Sequence, residues 1–137
     1  MKRRALPIED NENNRYLLAL LLQHAGYEVM EAENGKVGIE IARTGRPDII
    51  LLDIQMPEMD GYEVIAVLKL EPEVAAIPVI GVSSFAMQGD RERALKSGFS
   101  GYIEKPVDPE RFASEINALT VRSAHPHEAI ERRRQSG

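Results

Sequence analysis

Four branched aliphatics, Ile49 to Leu52, run directly into Asp53, and the chain then turns through Gln55-Met56-Pro57-Glu58-Met59-Asp60-Gly61. Such an unbroken apolar run reads as a strand buried on both faces. It delivers Asp53 to the strand's carboxyl end, where an open parallel sheet places its ligand crevice. A second short apolar stretch, Ala5-Leu6-Pro7-Ile8, ends in the adjacent acids Glu9 and Asp10. If the two strands are parallel neighbours, the three carboxylates converge. At roughly 4 Å separation and an effective dielectric near ~20, each pair repels by about 4 kcal/mol, more than a few hydrogen bonds of ~1 kcal/mol offset. A divalent cation does offset it. The chain has no Cys and no His beside these acids, so the donors are all oxygen. That selects a hard ion, and a small solvent-open carboxylate site suits Mg2+ better than an all-protein Ca2+ cage.

Two more apolar stretches supply what a reactive carboxylate needs. Pro78-Val79-Ile80-Gly81-Val82 ends in Ser83-Ser84, and Gly101-Tyr102-Ile103-Glu104 ends in Lys105-Pro106. A hydroxyl and an ammonium at two further strand ends suit a carboxylate that carries a phosphoryl group, with Lys105 as a point charge and Ser83 as a hydrogen-bond donor.

The elements that must position these groups alternate short apolar runs with amphipathic stretches, the pattern of strand-helix units. Asn13 and Asn14 are placed to cap a first helix in which Leu17, Leu18, Leu21, Leu22 and Ala25 recur at helical spacing, ending at Gly26. Tyr27 to Ala32 reads as a strand. Asn34 caps a second helix expected to bury Val37, Ile39 and Ile41, stopped by Thr44-Gly45-Arg46-Pro47, and the strand from Asp48 to Asp53 follows. The third helix starts at Asp60 or Gly61, runs through Val64, Ile65, Val67 and Leu68, and breaks near Glu71-Pro72. The fourth, about Gln88 to Ser97, offers only Ala94 and Leu95 as apolar anchors, so its packing is expected to be the weakest, and Gly98 closes it. The fifth opens Asp108-Pro109-Glu110, an N-cap, a proline in the first helical position and an acid in the first turn, and continues through Phe112, Ile116 and Leu119. Gly26, Gly45 and Gly98 read as helix stops.

With these landmarks in order, the chain resembles the receiver domain of two-component response regulators, of the chemotaxis-regulator type, from about Ala5 to about Leu119. The acidic pair Glu9 and Asp10, then Asp53, Ser83, Tyr102 and Lys105-Pro106 match, with 30 residues from Asp53 to Ser83 and 22 from Ser83 to Lys105. The resemblance implies an α/β, flavodoxin-like, doubly wound fold: a five-stranded parallel sheet of order 2-1-3-4-5 with five helices. It implies that Asp53 accepts a phosphoryl group from a histidine kinase or histidine phosphotransferase. The protein would then be a signalling phosphoacceptor that assists its own phosphorylation and dephosphorylation, not an enzyme acting on a separate substrate. Asp10 and Asp53 would bind Mg2+ directly, Glu9 directly or through water, and the Gln55 main-chain carbonyl would complete the protein ligands. Lys105, Ser83 and the backbone N–H groups after Asp53 and near Ser84 would hold the phosphoryl oxygens. Ser83 and Tyr102 would form the switch, and Pro106 would follow a cis peptide bond. Gln55 and Phe85 occupy positions that adjust access of the hydrolytic water, and a bulky Phe85 implies slow loss of phosphate. The fourth helix, fifth strand and fifth helix would form the face read by a downstream effector protein, and the same face is open to a homodimer. Pro7 stands where the family has an aliphatic in a central strand; it lacks a ladder donor and is expected to weaken or kink that strand and shift Glu9.

Composition agrees with one such domain. The chain has 137 residues, 43% apolar and 28% charged, with a net charge of -5 that argues against nucleic acid as the main partner. Residues 1–4 read as a basic extension, 5–120 as the receiver and 121–137 as a tail, mobile or partly helical. No apolar run is long enough to cross a bilayer, so a soluble, cytoplasmic protein with no membrane partner is expected. His24, His125 and His127 read as solvated side chains, and Met56 and Met59 as loop packing. Rival readings are a pseudo-receiver acting as a binding module, a phosphorelay intermediate, the receiver of a hybrid kinase, and a hydrolase of the haloacid dehalogenase type. The last wants a second Asp two residues after the nucleophile, where this chain has Gln55.

Overall fold

A computed structural model describes residues 2–85 and 87–124. Five strands and five helices alternate: β1 (Arg4–Ile8), α1 (Glu12–His24), β2 (Glu28–Val29), α2 (Gly35–Gly45), β3 (Ile49–Asp53), α3 (Gly61–Leu70), β4 (Val79–Ser83), α4 (Gln88–Lys96), β5 (Gly101–Glu104) and α5 (Pro109–Ala124). The strands form one sheet in the order β2-β1-β3-β4-β5, every neighbouring pair parallel. This is the doubly wound, flavodoxin-like arrangement that the family resemblance implies.

Alternation along the strands builds two cores. Ile49 and Leu51 of β3 face one side, with Leu18 and Leu22 of α1 and Phe112 and Ile116 of α5. Ile50 and Leu52 face the other, with Ile39 and Ala42 of α2, Val64, Ile65 and Leu68 of α3, and Ala94 of α4. All five β3 residues are buried. At about 1.5–3 kcal/mol per fully buried Leu or Ile side chain, this strand is the most strongly fixed support available to Asp53.

Several local expectations are corrected. The cap of α1 is Asn11, whose side chain accepts from the Asn14 N–H, so Asn14 receives the cap rather than providing it, and Asn13 takes no part. The connection from β1 therefore contains only Glu9, Asp10 and Asn11, which keeps both acids at the sheet edge. In α2 the buried residues are Gly35, Gly38, Ile39 and Ala42, while Val37 is exposed and Ile41 half-buried, because the apolar stripe lies one position away from the one read in the sequence. That helix stops at Arg46, which takes φ 43, and not at Gly45, its last helical residue. In α4 Leu95 is 48% exposed, leaving Ala94 as its one buried residue. Helix α5 is no such correction: it runs to Ala124, four residues into the tail expected to be mobile or partly helical, and the remainder, with His125 and His127, lies outside the described residues.

Pro7 leaves the β1–β3 register that leads to Glu9 unbroken. In a parallel ladder the N–H and C=O of one residue point to the same neighbour. The Pro7 carbonyl accepts from Ala32 N (3.1 Å), so its missing donor also faces the β2 side. Met30 N still reaches the Ala5 carbonyl (2.9 Å) and Glu9 N the Ala32 carbonyl (3.1 Å); the bond lost is the one Pro7 would give to Met30. Consequently the Tyr27–Ala32 strand shrinks to Glu28–Val29 plus a bridge between Ile8 and Ala32, while the β1–β3 register is unbroken from Ala5–Ile49 to Ile8–Leu52.

Candidate functional site

The sheet order reverses direction between β1 and β3, and the crevice outside the carboxyl ends of these strands is where open α/β sheets bind ligands. Because Ile8 pairs with Leu52, the next residues, Glu9 and Asp53, stand side by side. Asp53 is fixed from below as well. Gly61, at the start of α3, lies so close that an added Cβ would sit 2.7 Å from Ile54 Cα and 2.9 Å from the Asp53 carbonyl, and its N–H donates to the Ile54 carbonyl (3.0 Å). Only glycine permits this contact. The side chain of Asp60 caps α3 in a full capping box with Glu63.

Glu9, Asp10 and Asp53 each present a carboxylate oxygen within 4.8 Å of the other two. Glu9 and Asp53 are buried, and Asp10 is exposed. Lys105 Nζ lies 2.9 Å from Glu9 Oε1 and 3.4 Å from Asp53 Oδ1, so its shorter bond goes to Glu9. Burial, then the hydrogen bond and charge of Glu9, push the Asp53 carboxyl up to about 8, against the smaller opposing pull of Lys105. For Lys105, burial opposes the charge, but the bond to Glu9 and the fields of Asp53 and Glu9 outweigh it and raise its affinity for the proton. Glu9 Oε2 is buried without a hydrogen-bond partner among the described residues. A buried orphan oxygen beside two further carboxylates fits a hard divalent cation and is hard to reconcile with a purely structural cluster.

The second half of the site surrounds Ser83, the last residue of β4. Gln55 N donates to Asp53 Oδ1 (3.1 Å), and the Gln55 side chain crosses to β4: Nε2 donates to Ser83 Oγ (2.5 Å) and Oε1 accepts from Ser84 N (3.2 Å). Ser83 Oγ also accepts from Phe85 N (3.0 Å). Tyr102 is turned inward, 7% exposed, and its hydroxyl donates to the Phe85 carbonyl. Phe85 itself is 55% exposed. The Lys105–Pro106 peptide bond is cis, as expected. Lys105 N donates to the Ser83 carbonyl (2.7 Å), tying the two strand ends together.

All the candidate residues thus gather at one end of the sheet, Glu9, Asp10, Asp53 and Lys105 in one group and Gln55, Ser83, Ser84, Phe85 and Tyr102 beside it. Two contributions escape the sequence reading. Arg15 Nη1 donates to the Glu9 carbonyl (2.9 Å), holding the β1–α1 turn. Its sequence signal is a cation one turn into a helix, against the helix dipole. The bridging role of the Gln55 carboxamide depends on the approach of two strand ends and has no local signal. Met56 is buried and Met59 partly so, and His24 is exposed, as expected.

The chain belongs to the response regulator receiver domain family, whose family model matches residues 5–117. It is 43% identical over 118 residues to the polar-differentiation response regulator DivK of Brucella anthropi, covering 86% of this chain and 96% of that protein. Among solved structures it is similar to the chemotaxis protein CheY4 of Vibrio cholerae, with a TM-score of 0.82 at 24% identity over 87% of this chain and 99% of that one. The receiver domain of the sensor histidine kinase PA1611 from Pseudomonas aeruginosa matches with a TM-score of 0.79 at 28% identity, over 88% of this chain and 98% of that one; that structure has a magnesium ion coordinated in its active-site cleft. The protein is accordingly a two-component signalling receiver, for which a kinase or phosphotransferase is the upstream partner. No helix among the described residues is long and apolar enough to cross a membrane.

Proposed function

We propose that Asp53 is the phosphoacceptor. An Asp53 Oδ attacks the phosphorus of a phosphohistidine on the partner, the O–P bond forms as the N–P bond breaks, and the imidazole leaves with the bonding electrons. The observation that carries this reading is the buried Asp53 carboxylate with Lys105 Nζ at 3.4 Å and the oxygens of Glu9 and Asp10 within 4.8 Å. Glu9, Asp10 and Asp53 are the side chains suited to hold Mg2+, with the Gln55 carbonyl as the main-chain ligand that the family resemblance implies. The bound cation would neutralise the carboxylates and the equatorial phosphoryl oxygens. Lys105 places its ammonium against the same oxygens, and Ser83 and the Ser84 N–H supply donors once the phosphoryl group arrives.

A phosphoryl group adds about two negative charges, and a charge-assisted bond from Ser83 is worth ~1.5–3 kcal/mol. A differential of that size shifts a two-state equilibrium about ten- to a hundredfold. Tyr102, Arg91 of α4, and Glu104, Asp108 and Arg111 around β5 and α5 line one open groove of about 500 Å3, which supports this face as the surface a downstream effector or a second copy reads. We assign the protein to the cytoplasm on the same reading, and Phe85 and Gln55 to control of phosphate lifetime.

Incubation with acetyl phosphate and Mg2+, followed by intact-mass measurement, tests the assignment. One added phosphoryl group in the wild type and none in Asp53→Ala is the expected result. Steady turnover without a stable adduct would indicate a hydrolase, and an unchanged mass in the wild type a pseudo-receiver.

A further inference from the structure

The Gln55 carboxamide sits where the phosphoryl group is expected to make its contacts. Its Oε1 already accepts from the Ser84 N–H, and its Nε2 already holds Ser83 Oγ. Tyr102 is inward with its hydroxyl on the Phe85 carbonyl, and Phe85 N closes the loop onto Ser83 Oγ. Ser83, Phe85 and Tyr102 are therefore linked in one hydrogen-bonded chain whose free end is held by Gln55. The other end of Gln55 is itself fixed, by its N–H on Asp53 Oδ1.

We propose that the Gln55 side chain stands in for the phosphoryl group in the resting protein, holding Ser83 and the Ser84 N–H in the engaged arrangement, the one they would take on the phosphoryl oxygens, and thereby keeping Tyr102 inward before phosphorylation. The inference rests on the phosphoacceptor reading of Asp53. Gln55 is a positioning residue in this scheme: it acts on the switch through Ser83 and Ser84. The exchange is chemically asymmetric. A carboxamide brings one donor and one acceptor, whereas a phosphoryl group brings acceptors only. On phosphorylation the Ser84 N–H trades one acceptor for another, while Ser83 changes from accepting the Gln55 Nε2 hydrogen to donating its own. Two ordinary hydrogen bonds favour the engaged arrangement about tenfold or more over one in which Ser83 is free, so the receiver carries an appreciable engaged population without phosphate.

The test uses Gln55→Met, which keeps side-chain length and removes both polar atoms, beside Gln55→Ala, which removes the packing as well. The Tyr102 ring and Ser84 amide signals are followed by NMR on isotope-labelled protein. Spectra are taken without ligand and with beryllofluoride and Mg2+, which mimic a phosphoryl group on a carboxylate. In the wild type the ligand-free signals are expected near their beryllofluoride-loaded positions. In both variants the ligand-free signals move away and return on loading, so the loading-induced shift grows severalfold. Ligand-free signals of Gln55→Met that coincide with those of the wild type overturn the inference. So does a change confined to Gln55→Ala, which would mark a packing role, or a wild-type Tyr102 signal far from its loaded position. If the wild type responds neither to beryllofluoride nor to acetyl phosphate, the phosphoacceptor reading fails and takes this inference with it. Normal uptake beside coincident ligand-free signals removes this inference alone.

Discussion

Among the described residues one side-chain cation, Lys105, pairs with Glu9. Lys105 Nζ is bonded to Glu9 Oε1 at 2.9 Å, and Glu9 is fully buried, with Asp53 close by. Removing one partner of a buried pair leaves an uncompensated charge and costs about 3–5 kcal/mol, and the partial exposure of Lys105 places this pair near the lower end. We expect Lys105→Met to lose about 3 kcal/mol in urea denaturation in the presence of a chelator, and to recover part of the loss when Mg2+ is added. A stability equal to the wild type in chelator would mean that Glu9 is balanced by something other than Lys105. The identities of Glu9, Asp10, Asp53, Ser83 and Lys105 were legible in the sequence because each ends an apolar run. The preference of Lys105 for Glu9 over Asp53 was not, since it turns on a difference of a few tenths of an ångström between strand ends that lie far apart in the chain.

Helix α4 is the least secured of the helices α1 to α4. It buries only Ala94, it has no side-chain cap among the described residues, and two of its arginines lie over aromatic rings: Arg93 is 4.0 Å from the Tyr62 ring centroid and Arg91 5.6 Å from that of Tyr102. Such contacts are worth about 0.5–1 kcal/mol at exposed sites, well below one buried Leu. Amide exchange in α4 is therefore expected to be the fastest of the helices α1 to α4, and Arg93→Ala to accelerate it further while leaving α1 unchanged. Protection in α4 equal to that in α1 would contradict this. Sparse anchoring was readable from the sequence. The stacked arginines were not, because Tyr62 and Tyr102 come from α3 and β5, and nothing local pairs them with α4. Where Pro7 would weaken the sheet was hidden for a related reason: periodicity places a proline in a strand but does not say which neighbour its missing donor faces, and here that neighbour is the short β2.

For the molecule as a whole, the acidic site is expected to make stability depend on pH and on a bound cation together. The Asp53 carboxyl titrates near 3.8 when unperturbed and is pushed up to about 8 in the fold, burial being the main cause and Glu9 the next. Between those values the folded state retains a proton that the unfolded chain has released, so the contribution is fully present below 3.8 and is lost as pH rises through about 8. In chelator the melting temperature is expected to decline across this window. Mg2+ favours the ionised carboxyl and should flatten the slope, whereas a slope indifferent to Mg2+ would count against a cation on these carboxylates. The order of strands and helices, the strand-end acids and the spacing to Ser83 and Lys105 followed from the sequence alone, because apolar period and turn residues are local properties of the chain. Tertiary structure alone decided which charges pair, that Glu9 Oε2 has no hydrogen-bond partner among the described residues, and that Gln55 spans from Asp53 to Ser83. Those facts depend on the parallel register and on side chains meeting across strands, and distances of that kind are set by packing and not by any neighbouring residue in the chain.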